Sequence, residues 1–87
     1  MKRSEGYIVK KLEDEYIVLP AGKKTEEVNE MISLSETAGF IYTHADEAKD
    51  IEELAQLVGQ EYGIEPEAVY DDVKTVAKTL RDKGILL

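Results

Sequence analysis

Chemistry in a chain this short has to show itself as reactive side chains at spacings a small fold can bring together. The chain has one histidine, His44, and no cysteine. A catalytic or zinc-binding histidine needs partners, and no other His or Cys stands at a ligand spacing from it. His44 therefore reads as an ordinary surface or helix-end histidine. Without Cys there are no disulfides, thiolate metal sites or Cys nucleophiles. Asp71-Asp72 is a carboxylate pair, but adjacent helix residues diverge by about 100°, which makes it a solvated face. Ala21-Gly22-Lys23-Lys24-Thr25 is close to the end of a phosphate-binding loop. That loop needs Gly at 17 and Ser or Thr at 24, where the chain has Ile17 and Lys24. A calcium loop starting at Asp46 fails too, because Ile51 and Leu57 fill the positions that require Gly and Glu. Ser35 lies in Leu34-Ser35-Glu36, not in the Asp-Ser-Leu of acyl carriers. The expectation from these residues is no catalytic residue, no metal and no cofactor.

Composition points the same way. The 87 residues suit one domain, 1–87, with 43% hydrophobic residues to build a core. Lys and Arg number 11 against 19 Asp and Glu, a net charge of −8. A duplex-DNA binder gains most of its affinity from cations on phosphate, so nucleic acid is a poor partner. No run approaches the roughly 18 apolar residues that cross a bilayer, so no membrane partner is expected, and the lack of an apolar signal segment favours the cytoplasm.

The elements that would carry a binding surface follow from periodicity. Tyr7–Leu12 and Tyr16–Leu19 read as strands, joined by the polar Glu13-Asp14-Glu15 and stopped by Pro20. Ala21–Glu26 is a polar loop. Val28-Asn29-Glu30-Met31-Ile32 is the expected third strand, although its alternation is imperfect. Ser35 caps a first helix over about Glu36 to Ala45. Asp50-Ile51-Glu52-Glu53 opens a second like a capping box, and Gly63 ends it. Pro66 starts a third helix that Gly84 closes, with Val69, Val73, Val76 and Leu80 at offsets of 0, 4, 7 and 11. The expected core is Leu34, Phe40, Ile41, Leu54, Val58, Val69, Val73, Val76 and Leu80. The fold class is α+β, winged helix-turn-helix-like: a three-stranded antiparallel sheet followed by three helices.

Two features of this arrangement suggest binding. A three-stranded sheet has two edges with unpaired backbone groups. On the third helix, Tyr70, Lys74, Ala77 and Arg81 fall on one flank of the apolar face with Lys78 beside them, an aromatic-basic stripe on an acidic chain. Such a stripe is either a solvated face with pairs such as Lys78–Asp82, or the wall of a groove for an extended peptide.

The segment Leu34-Ser35-Glu36-Thr37-Ala38-Gly39-Phe40-Ile41-Tyr42 resembles the Leu-Asn-Glu-Thr-Gly-Ala-Phe-Ile-Trp of the PqqD-like family, the RiPP recognition elements. The likeness continues through Glu61-Tyr62-Gly63-Ile64, Asp72-Val73 and Leu80-Arg81-Asp82-Lys83-Gly84-Ile85-Leu86, with Tyr16–Pro20 and Val28–Ile32 upstream. It departs where Ser35 replaces Asn, Tyr42 replaces Trp, Thr43-His44-Ala45 replaces a more apolar helix end, and Ala38 and Gly39 stand in inverted order. The resemblance implies a non-catalytic module that binds the leader of a ribosomally made precursor peptide. Such modules present the peptide to a modifying enzyme, commonly a radical-SAM maturase. It further implies that the leader adds as a strand along the third strand, at Val28, Asn29, Glu30, Met31 and Ile32. The third helix, with Tyr70, Lys74, Ala77, Lys78 and Arg81, would form the other wall. A monomer or weak dimer is expected. Two other readings stay open: a winged-helix DNA-binding or regulatory domain, and a module that dimerises by pairing sheet edges.

Overall fold

Alternation of period two builds the sheet. In the computed structural model, which describes residues 1–27 and 30–87, β1 is Tyr7–Leu12, β2 is Glu15–Pro20 and β3 is Ile32–Ser35. The strands are antiparallel in the order β1-β2-β3. Val9 pairs with Val18 and Tyr7 with Pro20, while Tyr16 and Val18 of β2 face Leu34 and Ile32 of β3. Tyr7, Val9, Tyr16, Val18, Ile32 and Leu34 line the side of the sheet that packs on the core.

The third strand is not where the sequence suggested. It begins at Ile32, the last residue of the expected span, and runs to Ser35. Glu30 and Met31 precede it outside any strand, and Val28 and Asn29 lie outside the described residues. The reason is visible in Ile32-Ser33-Leu34-Ser35. Ile32 and Leu34 turn inward while Ser33 and Ser35 stay exposed, the clean alternation that Val28–Ile32 lacks.

The helices follow at once. Ser35 ends β3 and caps α1, Glu36–His44, accepting a hydrogen bond from the Ala38 N–H at 3.2 Å. Asp50 caps α2, Ile51–Tyr62, through the Glu53 N–H at 2.9 Å, and the Glu53 carboxylate reaches back to the Lys49 N–H at 3.0 Å. Gly63 ends α2 in the left-handed region at φ 67°, where glycine carries no Cβ penalty. Pro66 opens α3, which runs to Asp82. Helix α3 packs on α2 and α1, and α1 contacts β2 and β3.

One core joins sheet and helices. Leu34, Ile41, Leu54, Val58, Val69, Val73 and Leu80 are buried as expected, whereas Phe40 and Val76 are only half-buried at its margin. Buried alongside them are Val18, Tyr42, Ala45, Ala48, Ala55, Ile85 and Leu86. Ala77 is buried too, at 0% exposure, which corrects its assignment to the stripe. Its small side chain lies on the side where α3 meets its neighbours, and its mild hydropathy concealed that.

The two ends of the described chain meet. Arg3 bridges Leu86, the Ser4 N–H donates to the Ile85 carbonyl at 3.0 Å, and the Leu87 N–H donates to the Lys2 carbonyl at 2.8 Å. Arg3 also holds Asp46, through its N–H at 2.9 Å and its Nε at 3.0 Å. The backbone N–H foremost, with help from the guanidinium, keeps the Asp46 carboxyl below its ordinary value. A carboxyl depressed in the folded state stabilises above its unfolded pKa of about 4 and loses that contribution as pH falls through the folded value. Asp46→Asn should thus be modestly less stable than the wild type in urea at pH 7, and the difference should vanish in acid. Being partly exposed, the pair should also weaken with added salt.

Candidate functional site

The sheet offers two edges, and their residues differ. β1 carries Lys10 and Lys11, both exposed, the kind of charge that discourages further strand pairing. The Lys11 ammonium lies 5.8 Å from the Tyr16 ring centre. β3 is Ile-Ser-Leu-Ser and carries no charge. It pairs with β2 alone in the sheet, so its outer backbone groups lack a strand partner. Just before it stands Met31, 62% exposed. Of the expected strand-side site, Ile32 is in β3, Glu30 and Met31 lead into it, and Val28 and Asn29 lie outside the described residues. Ser33, Leu34 and Ser35 were not anticipated there, although their alternation was the available signal.

The α3 stripe breaks into separate contacts. Tyr70, 38% exposed, lines a groove with Glu52, Ala55 and Gln56 of α2 and with Pro66, Glu67 and Asp71 of its own helix. That groove lies between α2 and α3, and none of its lining residues comes from β3. Lys78 pairs with Asp82 at 3.1 Å, as the spacing suggested, and both side chains are well exposed. The Arg81 Nε donates to the Leu87 carbonyl at 3.1 Å, which ties it to the C-terminal tail. Lys74 is exposed and Ala77 is buried. The five residues thus divide among the α2 groove, solvent, the tail and the core, and they do not form one continuous wall.

His44 ends α1, with its ring 4.3 Å from that of Phe40 and its Nδ1 2.5 Å from a Glu47 carboxylate oxygen. Asp71 and Asp72 are both exposed, and Asp71 belongs to the Tyr70 groove. Among the described residues, no cluster of three or more His, Cys, Asp or Glu is placed to hold a metal ion. None of the described helices is long and apolar enough to cross a membrane.

The family model for Coenzyme PQQ synthesis protein D (PqqD) matches residues 15–86, from the start of β2 to the C-terminal tail. A search of curated proteins finds no match. Among solved structures, "TbiB1 in Complex with the TbiA(beta) Leader Peptide" superposes with a TM-score of 0.73 at 22% sequence identity. The superposition covers 99% of this chain and 94% of that one. At that identity the likeness establishes the fold: three antiparallel strands followed by three helices.

Proposed function

The chain belongs to the PqqD family, and from that membership we propose that it is a non-catalytic module that binds the leader of a ribosomally made precursor peptide. It receives the leader as an added strand on the outer edge of β3 and presents the rest of the peptide to a modifying enzyme, a radical-SAM maturase in the form usual for the family. Residues 1–87 act as one binding domain, in the cytoplasm where the precursor is synthesised. The TbiB1 fold, shared over nearly the whole chain, was captured with a leader peptide, which supports the reading.

The observation that carries the edge assignment is the contrast between the two edges. β1 is guarded by two lysines, and β3 presents Ile32–Ser35 without a charge. Backbone pairing would give attachment that tolerates many leader sequences, and side-chain contacts beside the strand would select among them. Relative to the sequence-based expectation the site moves to Ile32–Ser35, with Met31 as an adaptable apolar contact at its entrance. Tyr70, Lys74, Lys78 and Arg81 remain candidates for contacts with side chains flanking the leader.

The test is amide hydrogen exchange with and without the cognate leader. In an antiparallel strand successive residues point their N–H groups to opposite edges. Strand addition should therefore protect alternate residues, either Ile32 and Leu34 or Ser33 and Ser35, and leave the other pair unchanged. Protection confined to α2 or to β1, or its absence from residues 32–35, would refute the edge assignment. A parallel titration with duplex DNA should show no binding at physiological salt, in keeping with a net charge of −8.

A further inference from the structure

The helices pack on one face of the sheet, and the residues of its other face stand outside that core. Along β1, Ile8, Lys10 and Leu12 alternate away from Tyr7 and Val9, which pack on the core. The register sets Ile8 opposite Leu19, Lys10 opposite Ile17 and Leu12 opposite Glu15. Ile8, Leu12, Ile17 and Leu19 therefore share the face opposite the helices with Lys10, flanked on β3 by Ser33 and Ser35. None of the four belongs to the helix-covered core. Ile17, in the middle strand, is only 8% exposed among its neighbours, whereas Ile8 and Leu12 are 46% and 48% exposed. The solvent side of an antiparallel sheet is ordinarily polar, whereas here apolar residues surround one exposed cation, Lys10, and such an apolar surface marks an interaction site.

Charge describes the occupant. Leu12 lines a cleft with Glu13, Asp14, Glu15 and Ser35, so three carboxylates bound one end of the apolar face. Among the described residues none of the three takes part in an ion pair. A second copy of the chain would bring the same carboxylates and another −8 of charge, which opposes self-association through this face. We propose that this face of the sheet, Ile8, Leu12, Ile17 and Leu19 around Lys10 with the Glu13–Glu15 hairpin at one end, docks a partner protein through an apolar surface that carries Lys or Arg opposite the hairpin. This rests on the peptide-binding reading in one respect. A leader on the β3 edge extends the sheet in its own plane and leaves this face free, so the partner is the modifying enzyme that must meet the loaded module.

The test uses the whole chain, isotope-labelled, and two synthetic amphipathic helices, each with one Leu face, bordered by Lys in one and by Glu in the other. The Leu/Lys helix should shift the amides of residues 8–19, and the Leu/Glu helix should not. Leu12→Ser should weaken the Leu/Lys helix roughly tenfold, by removing an apolar anchor. Glu13→Lys should weaken it and flatten its salt dependence. Both changes are at exposed positions, and thermal unfolding verifies that the variants fold. Leader binding by Leu12→Ser should equal that of the wild type, which separates a failure of this proposal from a failure of the leader site. Equal binding of both helices, shifts centred on α2 or α3, or protection of residues 8–19 by self-association of the protein alone would overturn it.

Discussion

Gly39→Ala should destabilise the protein by roughly 3 kcal/mol, at the upper end of ordinary overpacking costs. On an isolated helix the exchange would help, because Ala is favoured over Gly by about 0.5–1 kcal/mol in a helix interior. Here the sign reverses. Gly39 lies in α1 directly over the Tyr16 ring of β2, and an added Cβ would stand 1.8 Å from Tyr16 Cδ1, far inside contact distance. Either the ring leaves its site or α1 lifts from the sheet, and both expose apolar surface. A double-mutant cycle checks the cause. In a Tyr16→Ala background the obstacle is gone, so Gly39→Ala should become neutral or slightly stabilising in urea unfolding. An equal loss in both backgrounds would mean that the ring is not what the methyl meets. The close approach also gives a physical use to the glycine at this position, one residue later than in the family segment it resembles.

What could be read from the sequence, and what could not, divides along local and non-local physics. β1, the caps at Ser35 and Asp50, Gly63 at the end of α2 and Pro66 at the start of α3 each depend on a few neighbouring residues, and each was legible. β3 was shifted because Val28–Ile32 has β-forming residues, while the true strand uses two serines that score as loop and cap. Ser35 performs both roles, ending the strand and capping the helix. Ala77 was misplaced because a small residue beside a cationic flank has little hydropathic signal, although helix packing buries it fully. Burial of Ile85 and Leu86 depends on Arg3 and Ser4 at the other end of the chain, which no local window can see. The stripe shows the same limit. Its charges were visible, but the partners of Tyr70 and Arg81 come from α2 and the tail, which the helix periodicity alone does not show.

Val73→Asp should unfold the protein or come close to it. Val73 is 1% exposed and sits in the core cluster shared by all three helices and the sheet. The site offers a carboxylate no partner: among the described residues the core contains no buried polar or charged residue. An unpaired carboxylate in such a place costs several kcal/mol, against a total stability of about 5–15 kcal/mol for a typical domain. The pH dependence should be distinctive. Burial disfavours the charged form and raises the pKa of the introduced carboxyl in the folded state. The deficit relative to wild type is then largest above that raised value and shrinks as pH falls below it, the reverse of the Asp46 contribution. Val73→Ala separates charge from volume, since it leaves only a small cavity and should cost about 1–3 kcal/mol with no such pH dependence. Lys74→Asp, one residue along and exposed, should change stability by less than about 0.5 kcal/mol. Thermal and urea unfolding of the three variants, followed by far-UV circular dichroism at neutral and acid pH, gives the comparison. A Val73→Asp protein as stable as Lys74→Asp would place the core on the wrong face of α3, and with it the orientation of Tyr70, Lys74 and Arg81.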